Sequence, residues 1–118
     1  MEKLISLLFL ARDLAHREHL RTDSFSAHMA LGEFYDSIVD RADAIAEAYM
    51  GSYKKLGLFP IMANQQETDI VTVLKDHVKW IDKNRYECCE ESDTAIQNLI
   101  DEAVAVYLST LYKLRFLK

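Results

Sequence analysis

The sequence predicts an all-α domain built as a bundle of four helices. Only three Gly and one Pro occur among the 118 residues, so few positions interrupt a helix. Half of the residues are hydrophobic, and in four segments they recur every three or four positions, which is the spacing of one helix face. No segment shows the alternation that is typical of a strand. A chain of this length predicts one domain, residues 1–118, with a single core.

The first two predicted helices are joined by a short turn. The first helix extends over about residues 2–21, with apolar side chains on one face. The turn signal Thr22-Asp23-Ser24 follows, in which Asp23 or Ser24 offers an N-cap to the second helix. The second helix is predicted over about residues 25–50, and we expect Gly51 to end it in the usual C-terminal position.

A long connection separates the second predicted helix from the third. Residues 52–67 lose the helical period around one Gly and the single Pro, and we expect a packed connection with at most one short helical turn. The third helix is predicted from residues 68–69 to about residue 84. Residues 85–93 are expected to form a turn and a helix start, and the fourth helix extends from about residue 93 to residue 116.

The order of short and long connections selects one type of bundle. An extended connection of this length reaches about 50 Å, which is enough to carry the chain from one end of a bundle to the other. An up-down bundle would need only a short middle turn. The sequence therefore predicts a ferritin-like four-helix bundle, in which a long crossover connects the second and third helices.

Charge and cysteine content limit the class of partner and the compartment. The formal net charge is −5 and no long Lys/Arg run occurs, which argues against a nucleic-acid partner. Cys88 and Cys89 are adjacent, and a disulfide between neighbouring residues is strained, so we expect free thiols in a reducing cytosol. The apolar start of the chain is too short to span a bilayer. These features predict a cytoplasmic protein with no membrane segment.

Two histidines and two acidic residues form a candidate metal site. His16 and His28 lie on either side of the predicted turn, and Asp43 and Glu47 are four residues apart on one helix face. Two imidazoles and two carboxylates with helical spacing are a ligand set that suits non-haem iron. These four side chains are our candidate metal ligands and catalytic residues.

The four candidate ligands cannot meet within one subunit. His28 and Asp43 are 15 residues apart, or about 22 Å along a helix axis, whereas a metal–ligand bond measures about 2 Å. Two copies of the second helix, packed antiparallel about a two-fold axis near Asp36, would place His28 of one copy beside Asp43 and Glu47 of the other. The pattern therefore predicts at least a two-fold dimer with two equal sites.

The same stretch resembles the Dps-like mini-ferritins, the ferritin relatives whose iron-oxidation centres lie between subunits. That family has a His near the end of its first helix, then aromatic-x-x-His at the start of the second and Asp-x-x-x-Glu further along. Here these positions are His16, Phe25-Ser26-Ala27-His28 and Asp43-Ala44-Ile45-Ala46-Glu47. Phe34 and Tyr35 also fall where the family keeps aromatic residues. Outside this stretch the resemblance extends only to the order of helices.

The resemblance implies a function and a role for each ligand. The expected reaction is the oxidation of Fe(II) by hydrogen peroxide or dioxygen at an intersubunit di-iron site. By the resemblance, Glu47 bridges or binds both irons, Asp43 and His16 complete one position, and His28 completes the other. Gly32 stands where the family often carries an Asp, which is expected to weaken one iron position. Iron, the oxidant and further copies of the chain are the implied partners.

The resemblance supports the family's cage assembly and DNA-binding role less well than it supports the iron site. The chain is shorter than is usual in the family, so a dimer is better supported than a dodecameric cage. A lysine-rich tail, which the DNA-binding members use, does not occur in this sequence. We therefore expect iron chemistry without DNA condensation.

Two other functions fit the same sequence. The first alternative is a non-enzymatic ferritin-like scaffold or binding protein that keeps the ligands only in part. The other is an all-α Mg-dependent nucleotide pyrophosphohydrolase, because carboxylates cluster near the predicted turn between the third and fourth helices. Those carboxylates belong to Glu87, Glu90, Glu91, Asp101 and Glu102. No basic phosphate-binding motif accompanies them, which places this reading third.

The remaining histidines and large aromatics have simpler interpretations. His19 lies one turn from His16, and we expect it to be solvated or at most an outer partner of a ligand. His77, on the apolar side of the third helix, is expected to be a satisfied core or interface residue. Trp80 and Tyr107 are expected to pack in the core.

Overall fold

The computed structural model describes all 118 residues. It contains four α-helices and no strand. In chain order the helices are α1 (Glu2–Arg21), α2 (Phe25–Ser52), α3 (Ile70–Cys88) and α4 (Thr94–Phe116). The predicted all-α fold with four helices is therefore confirmed. No helix combines the length and the hydropathy that a membrane span requires.

Helix α2 begins at the predicted residue and ends later than expected. Ser24 is its N-cap, and the Ser24 Oγ accepts a hydrogen bond from the backbone N–H of Ala27 at 3.2 Å. The expectation that Gly51 ends this helix is wrong, because α2 continues through Ser52 and no glycine has a positive φ. Gly51 therefore supplies no left-handed turn, and its local effect is only to lower the helix propensity.

Helix α3 also extends further than the sequence predicts, to Cys88 rather than to about residue 84. The reason is a contact with Gln97 in the first turn of α4, whose Nε2 donates to the carbonyls of Arg85 (3.1 Å) and Cys89 (3.2 Å). The Cys89 carbonyl thereby gains a partner beyond the end of α3, and the Arg85 carbonyl gains a second one besides the backbone N–H of Cys89. Both cysteines are free and buried, and burial raises the pKa of each thiol, which fits a packing role.

Each helix packs against two of the other three. Helix α1 contacts α2 and α3, and α4 contacts the same two helices from the opposite side. The pairs α1 and α4, and α2 and α3, lie diagonally across the bundle without contact. Because α2 and α3 are diagonal neighbours, the segment that joins them must pass over the bundle surface.

The segment between α2 and α3, residues 53–69, runs along α1. Near its start the backbone N–H of Gly57 donates to Glu2 Oε2 at 2.8 Å. Near its end the guanidinium of Arg17 donates to the carbonyl of Asn64 at 2.6 Å. The segment contains no helical turn, and it passes from the start of α1 towards its end. Helix α3 therefore begins beside the turn between α1 and α2, and α2 and α3 run in the same direction.

The core is closed by aromatic and histidine contacts between α2, α3 and α4. Phe34 and Tyr107 are fully buried, and their rings meet edge to face with centroids 5.0 Å apart. His77 is 8 % exposed, and its Nδ1 lies 3.0 Å from the Tyr107 hydroxyl. Burial lowers the pKa of His77 to about 4, so the ring is neutral at pH 7. His77 is therefore the satisfied core residue that its position on the apolar face predicts.

The buried His77 should lower the stability of the fold as the pH falls. Between pH 6.5 and pH 4 the unfolded chain protonates this ring and the folded chain does not, so protons favour unfolding. We expect His77 to account for about 2 kcal/mol of lost unfolding free energy between pH 7 and pH 5. Urea titrations of the wild type and of His77→Gln, at both pH values, measure this contribution. An equal loss in the two proteins would contradict it.

Candidate metal site

Three of the four histidines gather where α1 ends and α2 begins. The rings of His19 and His28 stack with centroids 3.7 Å apart and planes 17° from parallel. The ring of His16 stacks on Tyr35 with centroids 4.1 Å apart, and His19 meets the edge of the same tyrosine at 5.3 Å. We call His16, His19, His28 and Tyr35 the histidine ladder. The ladder brings the two predicted histidine ligands, His16 and His28, into one cluster.

His19 and His28 form a reciprocal pair of hydrogen bonds across the turn. The Nδ1 of His19 donates to the carbonyl of His28 at 2.6 Å, and the Nδ1 of His28 donates to the carbonyl of His19 at 2.8 Å. A carbonyl oxygen only accepts, so both Nδ1 atoms must carry a proton. In a neutral ring the lone pair is then on Nε2. An Nδ1–H held by a carbonyl, with a bare Nε2, is the usual state of a metal-binding histidine.

Gly32 makes room for the ring of His19. A Cβ atom built at Gly32 would lie 3.1 Å from His19 Cε1 and 3.3 Å from His19 Nδ1, which is closer than ordinary van der Waals contact. The ring of His19, expected to be solvated or an outer partner of a ligand, is half-buried: it stacks on His28, and it also lines a surface pocket. The position where the resemblance anticipates an Asp thus has a packing reason for being glycine in this chain.

The stacked pair cannot itself chelate one ion. A nitrogen lone pair lies in the plane of its imidazole, and the planes of His19 and His28 are nearly parallel with centroids 3.7 Å apart. One ion cannot lie in both planes at bonding distance, about 2.0–2.1 Å for a typical metal–imidazole bond. No group of three or more His, Cys, Asp or Glu side chains within the chain is placed to hold an ion. Further ligands for either histidine would have to come from outside the subunit.

The two predicted acidic ligands lie far from the ladder. Asp43 and Glu47 are exposed on the second half of α2, about 22 Å and about 28 Å along the axis from His28. Arg41, on the same helix, pairs with Glu102 of α4 (3.5 Å) and leaves both carboxylates without an ion pair inside the chain. The structure therefore brings His16 and His28 together and keeps Asp43 and Glu47 separate from them.

A shallow pocket of about 290 Å³ opens beside the ladder on the outer side of α2. Its lining combines imidazole, thioether, phenol and carboxylate groups. The lining residues are His19, His28, Met29, Gly32, Glu33, Tyr35 and Asp36. Polar and titratable groups that face a surface pocket are accessible to ions and to a second chain, unlike the buried His77.

Sequence reasoning missed the contact between His19 and His28. One signal could have revealed it: the two residues are equally distant from the middle of the Asp23-Ser24 turn. In an antiparallel helix pair, positions that are symmetric about the turn lie side by side. The sequence gives no comparable signal for the space at Gly32, because a glycine within a helical pattern does not indicate which side chain packs against it.

The rival carboxylate cluster near the turn between α3 and α4 is partly neutralised within the chain. Asp101 pairs with Arg85 at 2.7 Å, and Glu102 pairs with Arg41 at 3.5 Å. Two of the five carboxylates that a Mg-dependent pyrophosphohydrolase site would use are thus paired with arginines. This region offers no assembled cation site.

Fold and site together define a four-helix protein whose α1–α2 end carries a histidine cluster. The chain matches a family of unknown function, DUF5856, over residues 19–114. The match covers well over half of the chain, and the protein belongs to this family. It includes the His19–His28 pair, Asp43 and Glu47, and it begins after His16. No curated protein and no solved structure matches the chain.

Two glycines of α2 allow a matched test of the packing at Gly32. Nothing lies within 4 Å of a Cβ built at Gly51, so Gly51→Ala should raise the free energy of unfolding by up to about 1 kcal/mol. Gly32→Ala lies further inside the helix and gains at least as much helix propensity, but its methyl group displaces a ring that is fixed by a stack and a hydrogen bond. We expect it to gain less than Gly51→Ala or to lose stability. Urea unfolding of both variants measures the difference, and equal gains would contradict the packing described here.

Proposed function

We propose that this protein is an iron-binding ferroxidase of the Dps-like mini-ferritin type. It oxidises Fe(II) with hydrogen peroxide or dioxygen at a site between two subunits, formed by His16 and His28 of one copy and Asp43 and Glu47 of the other. The observation that carries the proposal is the state of His28. A main-chain carbonyl accepts a hydrogen bond from its Nδ1–H, its Nε2 keeps a free lone pair, and no carboxylate of its own chain forms an ion pair with it.

The path of the chain supports the ferritin-like part of the proposal. Helices α2 and α3 are diagonal neighbours that run in the same direction, and residues 53–69 return along α1 between them. A long connection between the second and third helices distinguishes ferritin-like bundles from simple up-down bundles. This arrangement leaves the outer face of α2 uncovered by the connection.

The outer face of α2 is the surface that a second copy would use. Met29, Asp36, Asp43 and Glu47 are exposed along this face, with Met29 near the ladder and the acidic pair towards the other end. Antiparallel packing of two α2 helices about an axis near Asp36 puts the histidine end of each copy beside the acidic end of the other. The dimer then has two identical sites. A dodecameric cage built from such dimers is compatible with the same site.

The ligand set suits the oxidation of ferrous ions, which are the substrate. Each of two Fe(II) ions gives up one electron, and one hydrogen peroxide accepts both and, with two protons, leaves as two water molecules. The hard anionic carboxylates of Asp43 and Glu47 favour the ferric product, and Glu47 has the two oxygens needed to touch both ions. The neutral imidazoles of His16 and His28 bind without adding charge and leave coordination positions open to the oxidant.

Removing either the bridging carboxylate or a histidine ligand should slow the oxidation strongly. Fe(II) is added anaerobically, hydrogen peroxide follows, and the rise of Fe(III) absorbance is recorded. Because the loss of an outer-shell partner alone typically costs about 10- to 100-fold, Glu47→Gln and His28→Ala should slow the reaction at least as much. Glu91→Gln removes an exposed carboxylate outside α2, in the turn between α3 and α4, and is the matched control, which should oxidise iron as the wild type does. Wild-type rates in Glu47→Gln would refute the proposed site.

Mixing two inactive variants tests whether the site is shared. In a heterodimer of His28→Ala with Glu47→Ala, one site has lost both residues and the other has kept both. Random pairing after joint refolding makes half of the dimers heterodimers, so about a quarter of the wild-type activity should return. A site within one subunit would regain nothing on mixing. Native mass spectrometry of the same samples should show an even number of copies.

A further inference from the structure

We infer that His19 is a positioning residue of the iron site, which holds His28 in the tautomer and ring orientation that present Nε2 to iron. The inference rests on the proposed function and adds a residue that is not itself a ligand. Its basis is the reciprocal His19–His28 pair, with ring centroids 3.7 Å apart and both Nδ1 atoms bonded to the carbonyl of the other residue.

An unrestrained imidazole would be a poor ligand at this place. It exchanges between two tautomers and turns about its Cβ–Cγ bond, so its Nε2 is bare and correctly aimed only part of the time. The stack on His19 restricts the turning of the His28 ring. The hydrogen bond from His28 Nδ1 to the His19 carbonyl, at 2.8 Å, selects the tautomer with the proton on Nδ1. Together these contacts arrange the donor before the ion arrives.

The side chain of His19 also fixes the backbone on which His28 stands. Its Nδ1 donates to the His28 carbonyl at 2.6 Å, which ties the last turn of α1 to the first turns of α2. The short distance and the stack leave the ring little freedom to shift. This bond therefore sets the register of the two helices at the point where the reciprocal bond from His28 must form.

The ring of His19 is enclosed on several sides. His28 covers one face, Gly32 lies against Cε1 and Nδ1, and Tyr35 meets the ring at 5.3 Å. His16 lies edge-on at 6.0 Å and stacks on Tyr35. His19 thus contacts both proposed histidine ligands, which serve different iron positions, and it sets their placement relative to each other.

The tautomer of His28 can be read without any metal. In imidazole nitrogen–proton correlation NMR spectra of the metal-free wild type, His28 should show a protonated Nδ1 and a bare Nε2. In His19→Ala the spectrum should move towards a mixture of tautomers. Both variants keep the main-chain carbonyl of residue 19, but only His19→Phe keeps a flat ring against His28, so it should restore most of the wild-type signature. Leu20→Ala, which changes the neighbouring exposed side chain, is the control and should leave His28 unchanged.

Anaerobic titration calorimetry with Fe(II) provides the second readout. We expect His19→Ala to bind Fe(II) about 10- to 100-fold more weakly than the wild type, with His19→Phe between the two. A wild-type tautomer together with wild-type affinity in His19→Ala would overturn the inference. If the wild type itself binds no Fe(II), the proposed function fails, whereas an unchanged His28 spectrum in His19→Ala counts against His19 alone.

A second variant covers the case in which His19→Ala does not fold. Gly32→Ala keeps every side chain of the ladder and pushes the His19 ring by a few tenths of an ångström. It should shift the His28 signature and weaken Fe(II) binding in the same direction, whereas Gly51→Ala should change neither. Identical spectra and affinities in the two glycine variants would overturn the positioning role.

Discussion

The rigidity of α2 is the constraint on which the proposed site depends. A helix of 28 residues is about 42 Å long and does not fold back on itself, so groups near its two ends cannot serve one ion. His28 stands near the beginning of this helix, and Asp43 and Glu47 stand in its second half. The length of α2 separates His28 from the acidic pair in one copy. It would bring His28 of one copy next to the acidic pair of another if two α2 helices packed antiparallel. The separation within the subunit and the proposed proximity between subunits thus have the same geometric cause.

The turn between α1 and α2 determines what the histidines can do. Ser24 caps α2 through its Oγ, which fixes where the helix begins and therefore which residues face α1. His19 and His28 fall at equal distances from this turn and meet ring to ring. Gly32, one turn further along α2, has no side chain to push the His19 ring away. The Ser24 cap and the absence of a side chain at Gly32 therefore support the orientation of the histidine ladder.

The sequence predicted the fold better than it predicted the details of the site. Periodicity and the Ser24 cap place α1 and the start of α2 correctly, because both signals are local. The ends of α2 and α3 were misplaced, because Gly51 continues a helix here and Gln97 completes the last turn of α3 from another element. Such long-range bonds leave no periodic trace. That His16 and His28 lie near one another at the turn was predictable from their spacing, whereas the position of the His19 ring required the packing of two helices to be known.

The acidic outer face of α2 gives the proposed assembly a further property. Antiparallel packing about an axis near Asp36 would place the Asp36 side chains of the two copies next to each other. The same interface would contain the exposed Asp40, Asp43 and Glu47 of both helices. Like charges at such distances oppose association unless cations lie between them. In the proposed dimer, ferrous ions bound by ligands from both copies would therefore stabilise the dimer by the same free energy with which the dimer would raise their affinity. An interface of this kind makes ion binding and subunit association two measures of one equilibrium, since neither the histidine end nor the acidic end forms a complete site alone.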